Sequence, residues 1–352
     1  MNTKAQAQKS FIQNNSYSVL KLKKAIQLII VLCTVFMIGG QPARANPALV
    51  FDMKSDLVIY SEEADRLWHP ASLTKLMTAY LVFEALKAKK VTMESKLINS
   101  ANARAQPPSK IGLPLNATMK LKDAIEILIV KSANDVAVMI AEKIGGSEPN
   151  FVKSMNDTAK RLGMRRTKFY NPHGLPHQGQ VTTARDMGML ARAIISDFPE
   201  YNHLFSLGSV KVGKRRMRSH NDLLRTYEGA DGMKTGFICA SGFNVVASAT
   251  RNGRRMIVVV LGARSTKARR IRAIELFDHA FANYWWKTLF PVNFSSVAVG
   301  TQLNAGPANL RPVVCNYRPR KVRKKRRIVK RKKKKSNKKV AKKKSTKKKK
   351  KN

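Results

Sequence analysis

The sequence has few acidic residues, few cysteines and few histidines. Asp and Glu together number 21 against 68 Lys and Arg, which gives a formal charge of +47 for the 352 residues. Three cysteines are too few for a fold held by a disulfide framework. The six histidines show no spacing typical of a zinc site, so we expect no metal. The chain also has no Gly-x-Ser-x-Gly turn, which argues against a Ser-His-Asp hydrolase.

The three cysteines lie far apart in the sequence. Cys33 is inside an N-terminal apolar segment, so a processed protein would keep only Cys239 and Cys315. An oxidising compartment would permit one bridge between these two, and the sequence does not decide whether they meet. The simpler expectation is one small buried side chain and one free thiol.

The N-terminus has the pattern of an export signal. Lys23 and Lys24 precede an apolar segment, 25–38, and Ala43-Arg44-Ala45 offers a small-x-small cleavage site. The apolar run of roughly 15 residues is shorter than the ~20 needed to span a bilayer, so an uncleaved anchor is the weaker alternative. We predict a signal peptide over 1–45 and a mature protein exported to the periplasm.

The positive charge is concentrated at the C-terminus. Residues 318–352 contain 24 Lys and Arg and no acid, whereas residues 46–317 keep a net charge of only +17. A segment with so much like charge and so few apolar residues cannot offset the entropy lost on ordering, so we predict a disordered tail over 318–352. Residues 291–317 form a short, ambiguous extension that we expect to add a strand or two to the body.

Apolar patterns predict strands near both ends of the central region and helices between them. Runs at 48–53 and 57–60 predict a hairpin, and three strands are expected from Lys234 to Leu261, joined at 240–242 and 252–253. Helical patterns fill most of 121–197, and a last amphipathic helix is expected over 265–284. That helix would bury Ile271, Ile274, Phe277 and Phe281.

A helix is also expected directly after Pro70, with one buried face formed by Leu73, Leu76, Met77 and Tyr80. It contains the first of three short motifs, Ser72-Leu73-Thr74-Lys75. Residues i and i+3 share a helix face, so the hydroxyl and the amine can meet, and the backbone N–H groups at a helix start favour a developing negative charge. This motif alone is weak, because Ser-x-x-Lys is common by chance.

Two further motifs follow in order and make the set specific. Ser132-Ala133-Asn134 comes sixty residues after the first, and Lys234-Thr235-Gly236 comes 102 residues later still. With these three motifs the chain resembles the serine DD-peptidase and penicillin-binding family, and most closely its low-molecular-weight D,D-carboxypeptidases. The resemblance covers 46–290, and other segments that match are 70–78, 131–135, 171–176, 182–186, 221–224 and 231–237.

The resemblance implies an α/β fold of the β-lactamase/transpeptidase-like kind, in which an antiparallel sheet is flanked by helices with a mostly helical lobe. It implies an enzyme without a cofactor that removes the terminal D-alanine from peptidoglycan stem peptides through an acyl-enzyme and is inhibited covalently by β-lactams. The implied catalytic residues are Ser72 as nucleophile, Lys75 as base and Ser132 as proton relay. The implied substrate-binding residues are Asn134, Lys234, Thr235, Gly236 and Phe237, with the backbone N–H groups of Ser72 and Phe237 forming the oxyanion hole.

Lys75 can serve as a base only if its pKa is lowered. An ordinary lysine, with a pKa of ~10.4, is neutral in about one molecule in 2,500 at pH 7. A shift to ~7 requires a bias of about 4.6 kcal/mol against the charged form, which burial plus a second cation can supply. Lys234 is the expected second cation.

Three other functions compete with this one. A class A β-lactamase adds a glutamate that activates the deacylating water, but residues 166–174 contain no acid. A D,D-endopeptidase acting on crosslinks stays open, because both reactions break a D-alanyl bond. A basic nucleic-acid-binding protein is disfavoured by the export signal, so we expect no nucleic-acid partner. The tail is expected to attach the protein peripherally to an anionic membrane or cell-wall polymer.

Overall fold

The computed structural model of the chain describes residues 46–213, 215–294 and 306–316. The predicted signal peptide and Lys/Arg-rich tail lie outside these residues. The chain divides into two units, Met1–Val314 and Cys315–Asn352, and the fold described below is that of the first.

The main sheet has five antiparallel strands in the order β2-β1-β9-β8-β7. The N-terminal hairpin therefore pairs with the last strand in sequence, and the strand that carries Lys234 lies at one end of the sheet. Two further two-stranded sheets, β3–β4 and the hairpin β5–β6, were not predicted. The strands of the described residues are β1 Ala48–Asp52, β2 Val58–Glu62, β3 Lys96–Ile98, β4 Thr118–Lys120, β5 Ser209–Val212, β6 Arg215–Arg218, β7 Ala230–Ile238, β8 Gly242–Arg251 and β9 Arg254–Ala263.

Helices cover both faces of this sheet. The longest helices of the described residues are α1 Lys75–Lys87, α3 Leu121–Val130, α4 Asn134–Gly145, α5 Glu148–Arg161, α6 Ala184–Asp197 and α8 Thr266–Leu289; short ones are α2 Ala101–Ala105, α7 Leu223–Thr226 and α9 Arg311–Val314, with 3₁₀ turns at Ala71–Thr74 and Pro199–Ser206. One apolar cluster lies between the sheet and the lobe formed by α1 and α3–α6, and a second lies between the sheet and α8. Because both faces are covered, β8 and β9 are buried along most of their length.

The helix after Pro70 differs from its prediction in how much of it is buried. Ala71–Thr74 form a 3₁₀ turn before α1 begins at Lys75. From Lys75 to Phe83 every residue is buried, on all faces and not on one stripe. The helix lies inside the lobe and contacts α4, α3, α6 and α5, so it has no solvent-facing side over these turns.

The last long helix buries most of the predicted face, since Phe277 is buried and Ile274 and Phe281 pack against the same cluster, but it differs at Ile271. Its fully buried side chains are Arg269, Ala273, Leu276, Phe277 and Ala280, whereas Ile271 is 42% exposed. The predicted stripe was wrong at Ile271 because apolar side chains continue round the helix, and sequence does not say which of them meets the sheet. The observed face carries an arginine, which an apolar pattern does not detect.

The extension after α8 contacts the body by backbone pairing. Val58 donates its N–H to Val292 (2.8 Å) and Phe294 donates to Asp56 (3.0 Å), so 292–294 pair beside β2. Leu310 donates to Ala240 (2.8 Å) just before α9.

Cys239 and Cys315 are both disulfide-bonded, so the expectation of one buried and one free thiol was wrong. None of the helices in the described ranges is both long and apolar enough to cross a bilayer.

Candidate active site

Ser72 lies on the 3₁₀ turn that leads into α1, and Lys75 is the first residue of α1. The turn and the helix place both side chains on one side, and the Lys75 Nζ is 3.4 Å from the Ser72 Oγ. Ser72 is half-buried, whereas Lys75 is only 1% exposed. The hydroxyl is therefore accessible and the amine lies beneath it.

The Lys75 amine is held by two oxygen acceptors. It donates to the Asn134 Oδ1 at 2.8 Å and to the backbone carbonyl oxygen of His173 at 2.5 Å. Neither oxygen can donate a hydrogen bond in return. The amine thus has fixed partners for two hydrogens, and its third direction leads to the Ser72 hydroxyl.

The pKa of Lys75 is well below its ordinary value. Burial is the main cause, because it penalises the charged form, and the positive charge of Lys234 is the second. The carboxylate of Asp135 opposes the shift. The Asp135 carboxylate accepts the backbone N–H groups of Ile111 and Gly112, so its charge is already partly satisfied.

The turn at 171–176 supplies the His173 carbonyl, and Gly174 lets it approach. Gly174 has a φ of +85°, and a Cβ there would overlap the backbone carbonyl of Ala71, at 1.9 Å from its oxygen. The Thr78 hydroxyl donates to the Pro172 carbonyl (2.6 Å), which ties the turn to α1. The Gly/Pro turn at 171–176 therefore positions the amine of Lys75, the proposed base.

Ser132 and Asn134 connect α3 to α4 at the edge of the same space. Ser132 adopts a φ of +62°, an unfavourable conformation for a residue with a side chain, and its buried Oγ has no hydrogen-bond partner among the described residues. The Asn134 Nδ2 donates to the Pro107 carbonyl (2.9 Å), which aims the Oδ1 at Lys75. The Ser132 hydroxyl thus makes no hydrogen bond among the described residues, and Asn134 holds the Lys75 amine.

Strand β7 forms the opposite wall, with Lys234 and Thr235 buried and Phe237 42% exposed. Gly236 permits close packing, because a Cβ there would lie 3.0 Å from the backbone nitrogen of Ser72. The backbone groups of Ile238 hydrogen-bond to Ser241, on the side of β8. Since these groups alternate along a strand, the N–H of Phe237 faces the free edge of β7, toward Ser72.

Lys234 lies in an electropositive region that the sequence did not reveal. Burial, and then the charge of Arg269, lower the pKa of Lys234 to about 7. Arg269 comes from the inner face of α8, donates to the His220 carbonyl (3.1 Å), and has its own pKa lowered to about 10, mainly by burial. An anionic ligand nearby would favour the charged form of Lys234.

Asn244 on β8 is a positioning residue that sequence reasoning missed. Its Nδ2 donates to the carbonyls of His69 (3.0 Å) and Pro70 (3.3 Å), and its Oδ1 accepts the N–H of Gly262 (2.9 Å). The backbone just before Ser72 is thereby attached to the two central strands. A buried asparagine in an apolar strand was the signal available in the sequence.

These elements enclose a cavity of about 450 Å³. Its lining includes Ser72, Ser132, Asn134, Thr235, Gly236, Phe237 and Arg269, whereas Lys75 and Lys234 lie behind the wall. All eight residues that the motifs singled out are thus at or directly beneath one cavity. Within the described part of the chain, no group of three or more His, Cys, Asp or Glu is arranged to hold a metal ion.

The family that this geometry suggests is shown by comparison. The sequence profile of the D-alanyl-D-alanine carboxypeptidase family matches residues 37–265. The chain belongs to this family. The D-alanyl-D-alanine carboxypeptidase DacA of Haemophilus influenzae is 38% identical over 252 residues, which are 70% of this chain and 64% of that protein. The chain therefore spans just under two thirds of the length of that family member.

Solved structures of the family confirm the predicted fold class. Penicillin binding protein 5 from Haemophilus influenzae superposes with a TM-score of 0.66 at 36% identity, covering 69% of this chain and 73% of that one. Penicillin-Binding Protein D2 from Listeria monocytogenes, in its cefotaxime-bound form, gives a TM-score of 0.62 at 33% identity, covering 69% and 99%. The resemblance inferred from three short motifs is confirmed.

Proposed function

We propose that the protein is a serine-type D-alanyl-D-alanine carboxypeptidase that acts on peptidoglycan stem peptides through an acyl-enzyme on Ser72. The observation that carries the proposal is the buried Lys75 amine, 3.4 Å from the Ser72 Oγ and held by two oxygen acceptors. The names of the family members that the chain matches support the substrate class.

The proposed base works because its neutral form fits the site. A neutral amine has two hydrogens and one lone pair; the Asn134 Oδ1 and the His173 carbonyl accept the two hydrogens. The lone pair then points toward the Ser72 hydroxyl and can accept its proton. Burial and Lys234 favour this neutral form, as the lowered pKa of Lys75 records.

Acylation would begin when the Ser72 Oγ attacks the carbonyl carbon of the penultimate D-alanine. The Oγ–carbon bond forms, the proton moves to the Lys75 Nζ, and the carbonyl oxygen becomes an oxyanion. The N–H groups of Ser72 and Phe237 would stabilise that oxyanion, since β7 presents the Phe237 N–H at its free edge beside the Ser72 backbone. The bond to the terminal D-alanine nitrogen then breaks.

The departing nitrogen needs a proton, and we assign its relay from Lys75 to Ser132. Ser132 lines the cavity, and its buried hydroxyl has no hydrogen-bond partner among the described residues. The terminal carboxylate of the substrate would lie against Lys234 and Thr235, with Arg269 as a third group. Asn134 would bind the substrate amide through its second Nδ2–H, while its Oδ1 holds Lys75.

Deacylation by water is expected to be slow when the acyl group is a β-lactam. Asp222 is the only carboxylate among the lining residues of the described cavity, and its Oδ1 accepts from Arg225 at 3.0 Å. The cavity as described thus offers no free carboxylate to activate water in the manner of a class A β-lactamase. We infer that β-lactams are covalent inhibitors of this protein and not substrates.

The proposed function is tested by following product and adduct together. Purified protein is expected to release the terminal alanine from an acetylated tripeptide ending in D-Ala-D-Ala, but not from the same peptide ending in D-Ala-L-Ala. Penicillin is expected to add its full mass to the protein and to persist for many minutes. Rapid turnover of penicillin without D-alanine release would instead identify a β-lactamase.

We also propose that residues 1–45 direct export and that 46–290 form the catalytic domain. In this proposal the tail takes no part in the catalysed reaction. It is a tether that holds the enzyme at an anionic membrane or cell-wall polymer. The tether proposal is supported by the 24 Lys and Arg in 318–352, where no acidic residue offsets them.

Truncation after Tyr317 is expected to change envelope binding strongly and turnover of the soluble tripeptide little. All the proposed catalytic residues remain in the truncated protein, so turnover is kept. The basic residues that are lost would attract an anionic surface, and salt screens this attraction beyond a Debye length of ~8 Å at physiological salt. Cosedimentation with anionic vesicles and with cell-wall polymer, from low to high salt, measures the difference. If the full-length and truncated proteins bind alike at every salt concentration, the tether proposal is wrong.

A further inference from the structure

The hairpin β5–β6 concentrates positive charge beside the cavity. Its described residues include four exposed basic side chains: Lys211, Arg215, Arg216 and Arg218. No Asp or Glu occurs anywhere from 201 to 221. None of the four forms an ion pair with a carboxylate among the described residues. The proposed acyl-transfer reaction does not require this cationic surface.

The two faces of the hairpin differ in character. Val210 is buried, and Val212 and Met217 contact the main core, so this face fixes the register. The opposite face carries two cross-strand pairs, Lys211 with Arg216 and Ser209 with Arg218. We call Lys211, Arg216 and Arg218 the cationic face.

The cationic face is unfavourable for the isolated protein. Lys211 lies directly opposite Arg216 in the antiparallel register, and like charges in that position destabilise a strand pair. The Arg216 Nε donates to the Ser209 Oγ (2.9 Å), a neutral group that leaves the charge uncompensated. A bound anion would remove this repulsion, which is a physical reason to expect a ligand there.

The hairpin leads directly into the active-site cavity. Its base is closed where Ser219 donates to the Gly208 carbonyl (2.9 Å), and Ser219 and His220 then line the cavity. The pKa of His220 is lowered, first by burial and then by the charges of Lys234, Lys131 and Arg269. The basic hairpin is thus joined through Ser219 and His220 to a cavity wall that already carries Arg269.

We propose that the cationic face binds carboxylates of the peptidoglycan strand that carries the substrate peptide. The inference rests on the proposed function. The terminal carboxylate is already accounted for inside the cavity by Lys234, Thr235 and Arg269. Cations outside the cavity meet other carboxylates, and a polymer presents many of them near the cleaved peptide. Arginine suits such a site because its planar guanidinium can bind a carboxylate through two hydrogen bonds.

The consequence is a preference for polymeric over small substrates that depends on salt. Clustered charges raise the local concentration of an anionic substrate and its association rate, and salt screens both effects. A short peptide whose one carboxylate lies in the cavity gains nothing from the hairpin. The face is thus a specificity determinant that acts through KM and not through the bond-breaking step.

The test compares K211S/R216S with wild type on two substrates. These are purified peptidoglycan stripped of phosphate polymers and the acetylated tripeptide ending in D-Ala-D-Ala. At low salt, the ratio of kcat/KM for peptidoglycan to kcat/KM for the tripeptide is expected to fall about tenfold, the sum of two modest exposed ion interactions. In high salt the ratio measured for K211S/R216S should approach the ratio measured for wild type. The control K90S/K143S also removes two exposed basic residues and should keep the wild-type ratio. These two lysines lie on the helical lobe and form no ion pair among the described residues.

Several results would overturn the proposal. An unchanged ratio in K211S/R216S, or an equal fall in K90S/K143S, would show that the cationic face has no specific part. A lowered thermal unfolding midpoint in K211S/R216S would show a structural role, because removing the repulsion should raise it. Lost binding to phosphatidylglycerol vesicles with peptidoglycan binding intact would assign the face to lipid. If wild type fails to cleave the tripeptide, the proposed function fails, and cosedimentation with peptidoglycan still tests the hairpin by itself.

Discussion

Replacing Ser72 with alanine is expected to abolish covalent labelling by penicillin and to lower release of D-alanine by at least about 10⁴-fold. The Oγ is the atom that would form the bond, and removal of a catalytic serine elsewhere costs this much or more. Intact-protein mass spectrometry before and after penicillin treatment measures the first effect. Release of D-alanine from the acetylated tripeptide measures the second.

The matched control for Ser72→Ala is Ser132→Ala. Both changes remove one hydroxyl that lines the cavity, but only the first removes the proposed nucleophile. In Ser132→Ala the adduct should still form on Ser72, more slowly, because the departing nitrogen loses its proton relay. Peptide mapping that places the wild-type adduct on Ser132 would reverse the two roles.

Replacing Lys75 with alanine is expected to slow acylation by about 10³-fold, within the usual range for loss of a general base. Without the amine, the Ser72 proton has no acceptor among the contacts described. Lys75→Arg is expected to be nearly as inactive, since a guanidinium keeps the charge and the donors but cannot accept a proton. Stopped-flow measurement of acylation by a chromogenic β-lactam distinguishes these variants from wild type.

Lys234→Ala and Lys90→Ala are the comparisons for the Lys75 variants. Lys234 is also a buried lysine, yet its loss should mainly weaken recognition of the carboxylate and raise KM. Lys90 is exposed just after α1, and its loss should change neither quantity. Loss of Lys75 leaves the Asn134 Oδ1 and the His173 carbonyl without their hydrogen-bond donor, so the thermal unfolding midpoint of each variant is measured as well. Equal acylation rates in folded Lys75→Ala and wild type would exclude Lys75 as the base.

Much of the fold could be predicted because its signals are local. The hairpin of β1 and β2, and the three strands β7–β9 with their turns, follow from apolar runs separated by turn residues. The break between α4 and α5 coincides with Gly145 and Gly146, and Gly146 has a φ of +73°. The two-stranded sheets β3–β4 and β5–β6 escaped prediction because they have only three or four residues per strand.

The motif residues could be proposed from sequence, but their electrostatics could not. Lys75 and Lys234 were expected to influence each other, and the structure shows burial as the larger cause of the lowered pKa of Lys75. Arg269 was missed because an arginine within an apolar helix pattern gives no sign that it faces a cavity. The carbonyl of His173 was missed because a backbone oxygen has no signature in sequence.

The sequence by itself determined the order of the elements, the three motifs and hence the family. These properties depend on residue type and spacing along the chain, which a helix turn or a strand period converts directly into direction. Only the tertiary structure decided which groups surround the Lys75 amine, how Gly236 approaches the Ser72 backbone, and that Lys211 lies opposite Arg216. Those are contacts between segments brought together by the packing of helices on a five-stranded sheet. Burial and charge interaction depend on distances in space, which spacing along the chain does not specify.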